Sequence, residues 1–136
     1  MKKLTLVVAF AALSALQVSP LYAGEKLGKV FIKASSSIVD GQQFADQDKE
    51  DSVKDMKERA GKFVVVDSEK EADYLVIVVE RNRRDSVKVE LVATISFKQN
   101  GQWKPGTRLI ASSNGAGMAA RRMMGQVNDW VEARGK

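Results

Sequence analysis

Phe63-Val64-Val65-Val66 and Leu75-Val76-Ile77-Val78-Val79 are unbroken apolar runs, rich in β-branched residues and separated by the polar segment Asp67-Ser68-Glu69-Lys70-Glu71-Ala72-Asp73. Runs this short have the length of strands, and their lack of alternation marks central strands that are apolar on both faces. They decide the fold class, because the segments on either side carry only one apolar face each.

Upstream, Val53, Met56 and Ala60 recur at helical spacing over residues 46–60 and continue to Phe63, with Gly61 as the C-terminal stop. Before that helix, Val30-Phe31-Ile32 opens a β-prone stretch between Lys29 and Lys33. Ala34-Ser35-Ser36-Ser37 breaks it ahead of Ile38-Val39 and the turn pair Asp40-Gly41, so this part is expected to be one strand and a loop.

Downstream, residues 81–86 form a charged turn in this reading. Val87, Val89, Leu91, Ala93, Ile95 and Phe97 then alternate with Lys88, Glu90, Val92, Thr94, Ser96 and Lys98, which gives a strand with one apolar face. Asn100-Gly101 signals a hairpin, and Pro105-Gly106 is expected to break the returning strand, leaving residues 108–111 as its paired part. A last helix from about Asn114 sets Ala116, Ala120, Met123, Val127 and Trp130 on one face. The expected architecture is α+β: a mixed four- to five-stranded sheet with two amphipathic helices, in the order β-α-β-β-β-β-α, as one domain over residues 24–136.

The start of the chain has a different character. Lys2 and Lys3 precede an apolar run over residues 4–16, interrupted only by Thr5 and Ser14, and Pro20 and Ala23 close the segment. That order is that of a secretory signal peptide, here residues 1–23 with cleavage near Ala23/Gly24. The run is several residues short of the roughly 20 that a spanning helix needs, so the mature chain is expected to carry no transmembrane segment. The sequence has no cysteine. Lipid attachment at a processed N-terminus is therefore not expected, disulfides are excluded, and the core must hold the domain together unaided. The expected location is the periplasm or the cell exterior.

Removing Lys2 and Lys3 leaves 20 basic and 17 acidic side chains, a net +3 that is too mild to argue for a nucleic-acid partner. The charge is uneven: residues 24–80 carry 9 basic and 13 acidic groups, residues 81–136 carry 11 and 4. Such asymmetry can steer an anionic partner toward the second half.

The order of elements, with Lys62-Phe63-Val64-Val65-Val66-Asp67 directly after a helix and Ala72-Asp73-Tyr74-Leu75-Val76 opening the next strand, resembles a periplasmic domain family. That family is shared by curli-secretion-channel proteins and the N-terminal domain of the Tol-system propeller protein. The resemblance covers nearly all of residues 28–134. It implies a mixed sheet with both helices on one face, in a protein that works through contacts in the envelope rather than through bond chemistry.

Histidine is absent along with cysteine. This removes the usual general base near neutral pH, the thiol nucleophile and the two commonest zinc ligands, so neither a catalytic residue, a metal site nor a cofactor is assigned. Asp46, Asp48, Glu50, Asp51 and Asp55 would suit a carboxylate-dependent glycan hydrolase only if two of them faced a cleft. Acids at a helix N-terminus, which complement its positive end, explain them better. As a calcium loop, residues 46–51 place Asp51 where a glycine is needed. Gly115-Ala116-Gly117-Met118-Ala119-Ala120 matches the dinucleotide spacing G-x-G-x-x-A, but too little chain follows to build the required parallel unit.

Arg81, Arg83, Arg84 and Lys88 remain as a candidate contact for an anionic lipid, glycan or small ligand, with Arg121 and Arg122 on the last helix as additions. A solvated turn is the plainer alternative. Trp103, beside Lys104 and Pro105, either stacks on a ligand or caps the sheet edge, and Trp130 belongs to the core. Finally, strands apolar on both faces need cover on both. With both helices on one side, the other must be covered by residues 34–45, by a second copy of the chain, or by an envelope partner. The expected function is a non-catalytic interaction or assembly module acting through self-association or partner docking.

Overall fold

The computed structural model describes residues 26–135; the leader 1–23 and its cleavage site lie outside the described residues. Two crossovers and two hairpins generate the main sheet. Its strands are β1 (Gly28–Ala34), β4 (Phe63–Val65), β5 (Tyr74–Arg83), β6 (Lys88–Gln99) and β7 (Gln102–Asn114), in the spatial order β4-β1-β5-β6-β7. β1 pairs parallel with β4 and with β5, whereas β5 with β6 and β6 with β7 pair antiparallel. The α+β class and the mixed sheet agree with the sequence. Among the described residues, no helix is long and apolar enough to cross a membrane.

Between β1 and the first helix the expected loop is a small separate hairpin, β2 (Ser37–Val39) with β3 (Gln42–Phe44), turning at Asp40 and Gly41, both with positive φ. It does not roof the main sheet: Ile38 is 72% exposed and Phe44 49%. Residues 34–45 are thus not the cover that the sequence offered as one candidate.

Helix α1 (Gln47–Glu58) starts where the Asp46 side chain accepts a hydrogen bond from the Lys49 N–H, which satisfies one of the donors that every helix N-terminus leaves free. Asp48 and Glu50 lie in its first turn, so these acids complement the helix dipole. Gly61, at φ +60°, turns the chain into β4. Helix α2 (Ala116–Arg134) follows β7 directly and buries Ala119, Ala120, Met123, Met124, Val127 and Val131. Ala116 and Trp130, at the ends of the expected apolar face, are only half-buried.

Side chains alternate along a strand, so register assigns each face. Val30 and Ile32 of β1, Val76 and Val78 of β5, Leu91, Ala93 and Ile95 of β6, and Ala111 of β7 form one buried cluster with Val53 and Met56 of α1 and the buried face of α2. Both helices therefore cover the same face.

Two irregularities matter for function. The β5–β6 register shifts between Val78 and Glu80, so Val79 is an extra residue and the strand continues to Arg83 with its faces exchanged. Arg81 then points to the helix side, and Glu80 and Asn82 to the other. In β7, Pro105-Gly106 does not end the pairing: the ladder runs from Gln102 to Asn114 with a shift between Ile95 and Ser96. Proline is tolerated because β7 is an edge strand and its missing N–H faces outward or falls at the bulge.

Candidate functional site

The helix-free face is built from the alternate residues. Register sets Phe31, Leu75 and Ser96 in one row, Lys33, Ile77, Thr94 and Arg108 in the next, and Glu80, Val92 and Ile110 beyond the bulge. Val64 lies beside Lys29 at the β4 edge and is 41% exposed; Ile110, on β7, is 52% exposed. Phe31 and Ile77 are half-buried. Both runs are apolar on both sides as expected, but only the run at 75–79 is a central strand: β4 pairs with β1 alone and lies at the sheet edge, because the chain leaves it across β1 to build β5 on the other side. Among the described residues no α-helix lies over the second side.

Part of that face is roofed by the chain itself. The eight-residue connection from β4 to β5 must pass β1, and Lys33 donates to Glu69 at 2.9 Å within it, so it crosses on this side. Ala72 within it and Leu75 on β5 are buried. The Arg108 guanidinium reaches Glu80 at 3.2 Å across β6, and Val92 under that bridge is buried. Phe31, Val64, Ile77 and Ile110 form the uncovered remainder.

The charged residues singled out in the sequence separate into three groups. Arg81 is no turn residue: it lies on β5, and its guanidinium donates to the Asp48 carbonyl at 2.8 Å and the fully buried Ser52 hydroxyl at 3.2 Å. Its work is to dock α1 on the sheet. Arg83 is also on β5, not in the turn, and is exposed beside a cleft of about 330 Å³ that it shares with Arg81, Asp48, Asn82 and Val89.

The turn proper is narrower than expected, residues 84–87. Its Asp85 carboxylate accepts from the Val87 and Lys88 N–H groups at 2.9 and 2.7 Å, and those bonds, Lys88 first and then Val87, hold its pKa below the ordinary carboxylate value. Arg84 pairs with Glu90 at 2.7 Å; that bond, with a second from Asn82, lowers the Glu90 pKa too. Lys88 opposes Asn114 at the far end of β7. Arg122 donates to the Ser112 carbonyl, and Arg121 lines a groove of about 430 Å³ between α2 and that strand. The structure thus brings Arg83, Arg84, Lys88, Arg121 and Arg122 to one end of the sheet.

Trp103 belongs elsewhere. It opposes Lys98 beside the Asn100-Gly101 turn, at the other end of β6, and the Lys98 ammonium sits 4.9 Å from its ring centroid. The same ammonium donates to the Lys70 carbonyl. The half-buried indole thus sits on the edge strand β7 with a cation against it. Sequence reasoning missed the Arg81 contact with Ser52, and also Gln126, whose amide donates to the Ile110 carbonyl on the open edge of β7. Neither bond has a local signature, because each joins segments far apart in the chain.

The acids at the start of α1 serve as cap and first-turn charges, and among the described residues no three acidic side chains converge as metal ligands. The dinucleotide-like segment has Gly115 at φ +91° as the residue before α2, with no strand following it.

No protein-family model matches the chain. No curated protein matches it either. Among solved structures, a hypothetical protein from Chlamydia trachomatis aligns at 9% identity and TM-score 0.48 over 81% of this chain and 99% of that one. An uncharacterised protein aligns at 12% identity and TM-score 0.35 over 81% and 89%. Neither carries an assigned activity.

Proposed function

We propose that the chain is an exported, non-catalytic interaction module of the cell envelope, and that its contact surface is the helix-free face of the sheet. The observation that carries this reading is the apolar remainder Phe31, Val64, Ile77 and Ile110 on a face that its own helices leave bare. Uncovered apolar surface of this kind marks an association site. The envelope setting rests on the leader 1–23 and on the resemblance to the periplasmic domain family.

The occupant we propose is a second copy of the chain. Two of the charges among the apolar residues are paired internally, Lys33 with Glu69 and Arg108 with Glu80, and Lys29 stands beside Val64 at the β4 edge. Two copies can therefore meet face to face with little like-charge repulsion, and a two-fold axis would set the same residues against each other. Sedimentation velocity over a hundredfold range of concentration tests this. A monomer–dimer shift that Ile110→Lys abolishes is expected; a monodisperse monomer at high concentration that binds no hydrophobic dye overturns it.

A further inference from the structure

Val87 is 60% exposed at the tip of the β5–β6 turn, and Met118 is 52% exposed in the first turn of α2. The Gly115 N–H donates to the Val87 carbonyl at 2.7 Å, so a backbone bond ties the turn to the start of the helix and presents both side chains at one end. Around them stand Arg83, Arg84 and Lys88 from β5, the turn and β6, and Arg121 and Arg122 from the second turn of α2.

Asp48 shares the cleft beside Arg83, and the two acids of the β5–β6 hairpin nearest Val87 are already engaged. Asp85 spends its carboxylate on the backbone N–H groups of the turn, and Glu90 is held by Arg84. Asp129 lies at the far end of the groove that Arg121 and Arg122 line, two turns along α2. No acid occupies the first turn of α2, so nothing there offsets the positive end of the helix.

We infer that this end docks the domain on an anionic lipid surface. Exposed aliphatic groups inside a ring of cations match such a surface in both of its properties: the apolar groups enter the interfacial layer and the cations remain at the level of the phosphates. A soluble polyanion would use the cations but has nothing to offer Val87 and Met118, which is why the bilayer is the partner of choice. Lys88 lies at the far end of the helix-free face, but none of Phe31, Val64, Ile77 and Ile110 belongs to this surface, so either proposal can fail alone.

Co-sedimentation with vesicles tests it, using phosphatidylcholine alone and phosphatidylcholine with about one-third phosphatidylglycerol, at low and high salt, beside binding to dextran sulfate. The expected result is partition onto the anionic vesicles only, falling as salt screens the cations. Lys88→Glu with Arg121→Glu lowers that partition by at least about twenty-five-fold, at about fivefold per cation lost. Val87→Ser with Met118→Ser weakens vesicle binding and leaves dextran sulfate binding unchanged. All four side chains are exposed, so the variants keep the fold, which circular dichroism verifies. No partition at low salt, equal partition onto phosphatidylcholine alone, or indifference to the Val87 and Met118 pair overturns the inference.

Discussion

The indole of Trp130 lies so close over Gly106 that a Cβ at that position would stand 2.7 Å from Cη2 of the ring and 2.5 Å from the Ile95 carbonyl oxygen. The glycine is what lets the edge strand β7 bulge under the last helix. Trp130 in turn packs against Phe97, with Arg134 stacked 3.7 Å above the Phe97 ring centroid. Gly106→Ala should therefore destabilise the domain by about 1–3 kcal/mol, the usual cost of overpacking. Thermal unfolding followed by near-ultraviolet circular dichroism reads this as a lower midpoint; an unchanged midpoint contradicts the packing described.

Arg81→Ala removes two hydrogen bonds that tie β5 to α1 and leaves the buried Ser52 hydroxyl with only the Asp48 carbonyl. A loss of about 1–3 kcal/mol is expected in urea unfolding. Both bonds leave one guanidinium nitrogen, Nη1, so lysine, whose ammonium ends a shorter side chain, should recover only part of the loss. Because Arg81 holds the fold, its removal should leave vesicle binding of the folded protein intact, in contrast to Lys88 and Arg121.

Asp46→Ala deletes the cap of α1 and should cost about 0.5–2 kcal/mol, whereas Asp51→Asn, at an exposed helical site, should change little. Chemical denaturation of the two variants side by side makes the comparison. Equal effects would mean that the acids act as a cluster rather than as one cap.

The turn should loosen in acid. Asp85 and Glu90 both have folded-state pKa values below the ordinary carboxylate value, so they contribute stability above the unfolded-state pKa. That contribution is lost as the pH falls through the lower folded-state values, that is, below about pH 4. Amide exchange of Val87 and Lys88 measured from pH 6 to pH 3, corrected for intrinsic rates, should show protection falling in that window. Asp85→Asn should flatten the dependence; unaltered protection across the range would contradict the sign.

Much of the fold is legible in the sequence because it is local. The runs at 63–66 and 75–79, the alternation after Val87, the Asn100-Gly101 turn and the helical spacing of Val53, Met56, Met123 and Val127 each identify an element without reference to any other. What escaped depends on distant partners. Whether Pro105 ends a strand is decided by β7 lying at the sheet edge, and whether Arg81 sits in a turn is decided by the bulge at Val79. The hairpin at 37–44 is short and exposed, so no hydrophobic period announces it. Of the candidate residues, the basic ones at the end of the sheet could be named from their clustering in sequence. Val87 and Met118 gain meaning only once the Gly115 to Val87 bond brings the turn and the start of α2 to the same end.

Hydroxyl-radical footprinting of the protein at low and high concentration tests the central claim most directly, with Ile38 and Phe44 of the exposed hairpin as internal controls. Oxidation of Phe31, Val64, Ile77 and Ile110 should drop as concentration rises while the two controls stay constant. Constant labelling of all six side chains, or protection confined to the hairpin, would contradict the assignment of the bare sheet face as the site of association.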